Sequence, residues 1–271
     1  KYEGFSPMCL IWKSNPGNTH GDLTAERALE VSCNYFFYEL GSRMTIEMLN
    51  ETANALGLGV PTGIELTEKV GWVTDEASKK AAYGETGVDS QITAGDRVLA
   101  AIGQAENRFS PLQLCVYAST LANKGTRMKA TFLSRVVASD YSSLIKENSP
   151  EIMNQMEIAS TTYNTYIEGM RLVIAGNEGT ARNHFGGPKD LDTFPVVVCG
   201  KTGTAQHSSG GSDHGAFICF APMDDPEVAV AVYGEKAAHG STLAAVAEDI
   251  LRAYFAMESA SEVTAFENQA A

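Results

Sequence analysis

The chain has 271 residues, of which 44% are hydrophobic and 20% are charged, and its formal net charge is −13. This composition supplies enough apolar side chains for a sizeable core, which argues against wholesale disorder. The acidic balance argues against nucleic acids and anionic membrane surfaces as main partners, because both select basic patches.

The first residues and the cysteines do not suggest a secreted disulfide scaffold. Residues 1–5 do not resemble a signal peptide, and no apolar run reaches the roughly 18 residues that a membrane-spanning helix needs. If the protein works outside the cytoplasm, we expect its targeting segment to lie outside this sequence. An odd number of cysteines at long spacings favours buried free thiols over a disulfide framework or a CxxC metal site. They are Cys9, Cys33, Cys115, Cys199 and Cys219.

The first part of the chain is predicted to be helical. Thr24 is a suitable N-cap for helical structure that continues to Gly41, a residue type that commonly ends helices. Thr45 can cap the next helix, whose apolar residues keep a helical spacing up to Gly57. Residues 57–63 are rich in glycine and include a proline, so they predict a loop.

The middle of the chain predicts two further helices. Ser110 and Pro111 combine a capping hydroxyl with a proline at the first helical position, and Gly125 ends the pattern. Residues 138–160 are polar and weakly periodic, so we expect them at the surface. The next helical pattern ends at Gly176.

The pattern changes after residue 190. Three short runs rich in β-branched and aromatic residues, 194–199, 216–220 and 228–233, are separated by turn-rich segments and predict an antiparallel meander. An amphipathic helix over 243–257 follows. Helices in the middle with a meander and a helix at the end predict an α+β domain.

The segment Lys201-Thr202-Gly203-Thr204 follows the first predicted strand. A lysine at a strand edge offers a fixed positive charge, and the glycine lets another backbone approach closely. This combination suits an extended peptide that ends in a carboxylate and lies along the strand. The tripeptide alone is a weak signal, because it also occurs by chance in chains of this length. The alternative is a strand end that turns into a hairpin.

Ser32 and Asn34 form a second polar pair. In a continuous helix their side chains would point about 200° apart, so they can serve one site only if the chain turns between two helices. The sequence permits such a turn, because Asn34 can cap a helix over 35–40. An ordinary helix with a polar stripe is the alternative.

Together these segments resemble the penicillin-binding transpeptidase family, over roughly residues 5–255. The pattern is closest to the monofunctional, membrane-anchored class B branch. The resemblance implies an α+β fold in which an antiparallel sheet is flanked by helices, as in penicillin-binding transpeptidases and β-lactamases. The matching segments, in chain order, are His20-Gly21, Ala28 to Phe37, Gly57-Leu58-Gly59 with Thr62-Gly63-Ile64, Ala101-Ile102-Gly103-Gln104, Ser110-Pro111-Leu112-Gln113-Leu114, Ala122-Asn123-Lys124-Gly125, Gly179-Thr180-Ala181 and Lys201-Thr202-Gly203-Thr204.

One element of the family pattern is not found. The family's nucleophile is a serine followed three residues later by a lysine, upstream of the Ser-x-Asn motif, and residues 1–31 contain no such pair. Ser143 and Lys146 have this spacing, but they lie downstream in a polar stretch, so we reject them. We therefore expect residues 1–258 to be the carboxy-terminal portion of a transpeptidase domain that lacks its first strands and nucleophile helix. Residues 259–271 are expected to be a flexible tail, and this chain alone is predicted to be inactive.

The resemblance also implies roles for the residues that are present. Ser32 would relay a proton between the family's lysine and the leaving group, and Asn34 would donate its amide to the substrate backbone. Lys201 would keep the site electropositive and orient Ser32. Thr202 and Thr204 would bind the terminal carboxylate, with the backbone N–H of Thr204 supplying half of an oxyanion hole.

The implied function is peptidoglycan D,D-transpeptidation through an acyl-serine intermediate. Its expected partners are stem peptides ending in D-Ala-D-Ala, β-lactam antibiotics and the amino-terminal segment that carries Ser-x-x-Lys, with no nucleic acid. No metal and no organic cofactor is required. The implied location is the extracytoplasmic face of the bacterial cell membrane, with the anchor outside this chain.

Four alternatives make different demands on these residues. A P-loop would need a glycine at the position of Pro195, and a metal site at His207, Asp213 and His214 competes with a plain polar hairpin loop. A serine β-lactamase would share the Lys-Thr-Gly segment, but the segment around Gln113 resembles the transpeptidases instead. A pseudoenzyme that binds peptide or β-lactam without a nucleophile would also explain the missing serine.

Overall fold

The computed structural model describes residues 6–84, 90–190, 192–205 and 212–269, with side chains up to residue 256 in the last helix. The chain forms two compact units. The first combines Lys1–Asp22 with Cys33–Tyr163, and the second combines Leu23–Ser32 with Asn164–Ala271. Among the described residues, no helix has both the length and the apolar character that crossing a bilayer requires.

The first unit is mainly helical, and its helices begin where the sequence supplies caps. The Thr45 hydroxyl accepts a hydrogen bond from the Met48 N–H at 3.2 Å, as predicted. Gly41 allows a close helix contact, because a β-carbon there would lie 2.5 Å from the Ala101 β-carbon. The helices are α1 (Leu10–Ser14), α3 (Asn34–Ser42), α4 (Ile46–Ala55), α5 (Glu76–Tyr83), α6 (Ala94–Ala100) and α7 (Pro111–Ala122).

Helix α7 starts with a capping box between Ser110 and Gln113. The Gln113 side chain is fully buried. Its Oε1 accepts from the N–H groups of Ser110 at 3.1 Å and Gly71 at 3.3 Å, while its Nε2 donates to the Val60 carbonyl at 2.9 Å. One amide side chain thus holds the predicted loop 57–63 against the start of α7.

Two small antiparallel pairs complete the first unit. Strand β1 (Thr126–Met128) pairs with β4 (Ile152–Gln155), and β2 (Arg135–Val137) pairs with β3 (Leu144–Glu147). Most residues of 138–160 are exposed, which agrees with the predicted surface position. The sequence did not predict these strands, because they are short and show no alternation of apolar and polar residues.

The second unit packs helices on a three-stranded antiparallel sheet of order β5-β6-β7. Fully buried side chains from the helices and the sheet form its core, among them Val173, Phe217 and Leu251. The elements are α2 (Ala25–Glu30), α8 (Ser160–Ala175, whose first residues belong to the other unit), β5 (Cys199–Ala205), β6 (His214–Ala221), β7 (Val228–Gly234), a 3-10 helix (Gly240–Leu243) and α9 (Ala244–Gln269).

The meander is confirmed, but its first strand is shifted. The prediction placed a strand over 194–199, whereas β5 covers Cys199–Ala205 and therefore contains the Lys-Thr-Gly-Thr segment. The earlier apolar residues, 194–198, lie outside the strand, and the pairing with β6 begins at Cys199. The last helix extends to Gln269, beyond the predicted end at residue 257. Flexibility of residues 259–271 stays a prediction.

Candidate active site

Ser32 lies at a sharp turn immediately after α2. Thr24 caps this helix by accepting from the Arg27 N–H at 3.4 Å, and Val31 ends it. Ser32 then adopts a left-handed backbone conformation with φ of 52°, and α3 begins two residues later. This conformation is unfavourable for a residue with a β-carbon and clusters at functional sites. The predicted turn between two helices is therefore present, although Asn34 is the first residue of α3 and not its cap.

Lys201 lies on β5, opposite Ile218 of β6. Its amine donates hydrogen bonds to the Ser32 hydroxyl and, at 2.9 Å, to the Thr202 carbonyl. Burial lowers the pKa of Lys201 to about 8, because removing an ammonium group from water disfavours its charged form. The amine can therefore hold or release a proton near neutral pH, directly beside a hydroxyl that could pass that proton on.

The remaining predicted residues of this strand present their polar atoms along β5. The Thr202 Oγ1 lies 2.8 Å from the Thr180 Oγ1, and the Thr204 Oγ1 accepts from the Gly240 N–H at 3.5 Å. Alternation along a strand puts these two threonines on the same face. At Gly203, a β-carbon would make ordinary van der Waals contact with Ala216, 3.5 Å away, so the structure has room for a β-carbon at this position. Since β5 is an edge of the sheet β5-β6-β7, an extended peptide can pair with it.

A buried carboxylate that the sequence reasoning missed anchors the helix that leads to Ser32. Glu30 is fully buried and pairs with the Arg27 guanidinium, and its Oε1 accepts from the Glu178 N–H at 3.1 Å. The loop that contains Glu178 also carries Thr180, which contacts Thr202. This loop therefore ties the end of α2 to strand β5. The sequence gives no signal for this burial, because Glu30 lies two positions after the buried Ala28, where helix geometry points a side chain to the opposite face.

Other sequence candidates lie elsewhere. Ser143 and Lys146 belong to the exposed β2–β3 hairpin region. The histidine at position 207 is outside the described residues. The His214 ring accepts from the Lys236 N–H at 3.3 Å and stacks on Tyr233, which fits the hairpin interpretation.

The family model of the penicillin binding protein transpeptidase domain matches residues 4–253. The chain is 28% identical over 246 residues to peptidoglycan D,D-transpeptidase MrdA of Acinetobacter baumannii, and 29% identical over 246 residues to the protein of the same name from Haemophilus influenzae. These alignments cover 85% and 83% of this chain, but 34% and 35% of the relatives. The chain thus spans about a third of the length of these curated relatives.

Solved structures agree with this match. Penicillin-binding protein 2 of Helicobacter pylori is 25% identical with a TM-score of 0.67, and the alignment covers 84% of this chain and 39% of that one. Pseudomonas aeruginosa PBP2 in complex with WCK 5153 is 25% identical with a TM-score of 0.71, over 88% of this chain and 49% of that one. The ceftriaxone acyl-enzyme complex of Mycobacterium tuberculosis penicillin-binding protein A is 24% identical with a TM-score of 0.71. The alignment covers 90% of this chain and 51% of that one, and the likeness supports the fold alone. The predicted α+β fold is confirmed.

Proposed function

Because this chain belongs to the penicillin-binding protein transpeptidase family, we propose that it is the later part of a domain that cross-links peptidoglycan stem peptides through an acyl-serine intermediate. The observation that carries the proposal is the contact between the Ser32 hydroxyl and the amine of Lys201 on β5, the first strand in the sheet order β5-β6-β7. These two residues are 169 positions apart in the sequence.

In the proposed reaction, the serine of a Ser-x-x-Lys motif on the amino-terminal segment attacks the carbonyl carbon of the penultimate D-Ala. A bond from serine oxygen to carbon forms, the carbon–nitrogen bond to the last D-Ala breaks, and the leaving nitrogen receives a proton. An amine of a neighbouring stem peptide then attacks the ester, and the serine oxygen regains its proton. A β-lactam acylates the same serine, because its ring amide takes the place of the scissile peptide bond.

The residues of this chain would bind the peptide and move the proton. Ser32 passes the proton between the motif lysine and the leaving nitrogen, and Lys201 orients its hydroxyl. Thr202 and Thr204 bind the terminal carboxylate of a peptide that lies along β5, and the N–H of Thr204 helps to hold the oxyanion. Asn34 donates its side-chain amide to the substrate backbone.

The proposed partners and location follow from the family. We place the complete protein at the extracytoplasmic face of the bacterial membrane, held by an anchor outside this chain, with stem peptides and β-lactams as ligands. A Helicobacter pylori PBP2 was solved in complex with MreC, so a protein partner is a further expectation for the complete protein.

The first test is acylation by fluorescent penicillin in the complete domain, which joins this chain to an amino-terminal segment with Ser-x-x-Lys. Ser32→Ala should slow acylation by roughly 10²–10⁴-fold, the usual contribution of a positioned proton-transfer group. Ser42→Ala is the matched control, since the Ser42 hydroxyl only donates to the Glu39 carbonyl within α3. Equal acylation rates for the two variants would refute the proposed role of Ser32.

The second test separates this function from its alternatives. The chain alone should give no covalent penicillin band, and mass spectrometry of the labelled complete domain should place the adduct on the motif serine. An adduct on Ser32 or Ser143 would overturn the proposal that the nucleophile lies outside this chain. Reversible binding without any adduct in the complete domain would identify a pseudoenzyme, and rapid release of hydrolysed penicillin would identify a β-lactamase.

The same comparison tests the architecture. Strand β7 is the second edge of the sheet β5-β6-β7, and we propose that a strand from the amino-terminal segment covers it. The chain alone should therefore aggregate or oligomerise through this edge, whereas the complete domain should be monodisperse in size-exclusion chromatography. A monodisperse, monomeric isolated chain would contradict this pairing.

A further inference from the structure

Thr180 contacts the strand that carries the Lys-Thr-Gly-Thr segment. Its Oγ1 lies 2.8 Å from the Thr202 Oγ1, which is within hydrogen-bonding distance. Both threonines are half-buried, so neither side chain is sealed in the core. Gly179-Thr180-Ala181 is one of the segments that resemble the family, but the resemblance implies no role for it.

The contact between the two hydroxyl groups has only one direction that suits a bound anion. A hydroxyl group has one hydrogen to donate and two lone pairs that accept. If Thr202 donates its hydrogen to a carboxylate, the hydrogen between the two threonines must come from Thr180. That bond then fixes the rotation of the Thr202 hydroxyl. A chain of two hydroxyl groups that ends on an anion is polarised in one direction, which strengthens each bond.

The loop that carries Thr180 is fixed to the end of α8. The Ala181 N–H donates to the Val173 carbonyl at 2.9 Å. Gly179 lies so close to the same helix end that a β-carbon there would be 2.3 Å from the Val173 carbonyl oxygen. Thr180, which lies between these two residues, therefore reaches the strand from a backbone with little freedom to move.

The same loop is tied to the helix that leads to Ser32. The Glu178 N–H donates to the Glu30 Oε1 at 3.1 Å, and the Arg27 guanidinium pairs with both carboxylates. Glu30 is fully buried and precedes Ser32 by two residues. One buried carboxylate thus holds both the end of α2 and the loop that carries Thr180.

We propose that Thr180 is a positioning residue for recognition of the substrate carboxylate. Its hydroxyl donates to the Thr202 hydroxyl, which in turn donates to the terminal carboxylate of a peptide or to the carboxylate of a β-lactam. This role rests on the proposed function, because it needs a carboxylate at Thr202. Thr180 takes no part in proton transfer, so the loss of its hydroxyl should weaken acylation only by ligands that carry the negative charge.

The test compares two ligands of the complete domain, a penicillin with a free carboxylate and the methyl ester of the same penicillin. Thr180→Val keeps the shape of the side chain and removes the hydroxyl. The second-order rate constant of acylation should fall by about 3–10-fold for the free acid, the usual contribution of one neutral hydrogen bond, and should stay within about twofold for the ester. Thr180→Ser keeps the hydroxyl and should retain the wild-type ratio of the two rate constants.

Thr120→Val is the matched control. The Thr120 hydroxyl donates to the Val116 carbonyl at 2.7 Å within α7. The variant therefore removes a threonine hydroxyl and a hydrogen bond of similar length, but this bond lies within one helix. Both acylation rate constants should stay at their wild-type values.

Two further measurements keep the role of Thr180 testable. The ratio of the two rate constants is insensitive to partial misfolding, because both ligands meet the same folded fraction, and Thr180→Ala replaces Thr180→Val if the latter does not fold. In a Thr202→Val background, Thr180→Val should leave this ratio unchanged, because Thr180 acts through the Thr202 hydroxyl.

Three outcomes would overturn the role of Thr180 alone, since the wild-type domain would still be acylated and the proposed function would stand. They are an equal loss of acylation by acid and ester in Thr180→Val, wild-type rate constants for both ligands, and a further fall in the ratio when Thr180→Val is added to Thr202→Val. A wild-type domain that neither ligand acylates would overturn the proposed function, and the role of Thr180 with it.

Discussion

Replacing Lys201 with methionine tests the electrostatic account of the candidate site. Burial lowers the pKa of this lysine from 10.5 to about 8. At 1.36 kcal/mol per pH unit, this gap corresponds to at most about 3 kcal/mol of unfavourable free energy when the folded protein holds the charged amine. The cost is fully present below pH 8. Between pH 8 and pH 10.5 the unfolded chain keeps the proton of this lysine while the folded protein releases it. The free energy of unfolding of the wild type therefore rises with pH over this range.

Lys201→Met removes this pH-dependent cost and also two hydrogen bonds, to the Ser32 hydroxyl and the Thr202 carbonyl. Each lost bond costs about 1–3 kcal/mol, so the two effects largely cancel at pH 7. The informative quantity is the change with pH. The unfolding free energy of the variant relative to wild type should fall by about 2–3 kcal/mol between pH 7 and pH 10.

Urea unfolding of the complete domain at four pH values between 7 and 10 measures this difference. Ser32→Ala is the control, because it removes a bonding partner but keeps the buried amine, and it should retain most of the wild-type pH dependence. A difference between Lys201→Met and wild type that stays constant from pH 7 to pH 10 would refute the buried-amine account.

Three further changes test the strand edge and the buried polar contacts. Gly203→Val should abolish penicillin acylation while the melting temperature stays within a few degrees, since a β-carbon there meets nothing closer than 3.5 Å. Gly200→Val is the control variant. Its β-carbon would lie 2.8 Å from an aromatic ring of β6, so its melting temperature should drop. Normal acylation by Gly203→Val would exclude binding of the peptide along the strand. Gln113→Leu should lower the free energy of unfolding by about 2–4 kcal/mol, because three backbone groups lose their partner, and an unchanged urea midpoint would contradict this. Gly176→Ala would place a methyl group 2.2 Å from the Glu30 carboxylate, so we expect slower acylation and lower stability, and wild-type values for both would show that this contact is dispensable.

The parts of the fold that follow from local chemistry were predictable. Thr45 and Ser110 start helices because their hydroxyls cap the N–H groups of the next turn, and such caps involve residues only three positions apart. The meander was predictable because β-branched and aromatic runs alternate with turns. The predicted start of β5 was wrong because hydrophobicity alone does not show which residues pair with β6, and this pairing begins at Cys199.

The contacts between distant segments could not be predicted in this way. Glu30 meets the Glu178 N–H across 148 positions, and nothing near either residue marks the pairing. Cys9 and Cys33 lie close together because each directly precedes a helix and these two helix starts converge. The contact of Lys201 with Ser32 was expected solely because the ordered motifs resemble a known family, and the individual roles of these residues are still predictions.

The candidate site concentrates two unfavourable features at one contact. Ser32 has a left-handed backbone that a residue with a side chain rarely adopts, and Lys201 holds an amine whose charge burial disfavours. A sequence selected for stability alone would place glycine at position 32 and an apolar residue at position 201. The protein instead stabilises both residues from outside, through the buried Glu30 that anchors α2 and through the pairing of β5 with β6. An unfavourable backbone conformation and a buried amine persist only where the surrounding contacts enforce them. Both are expected at a site that needs a fixed hydroxyl and a nearby proton carrier. That argument reaches the same two residues as the sequence motifs, from independent physical grounds.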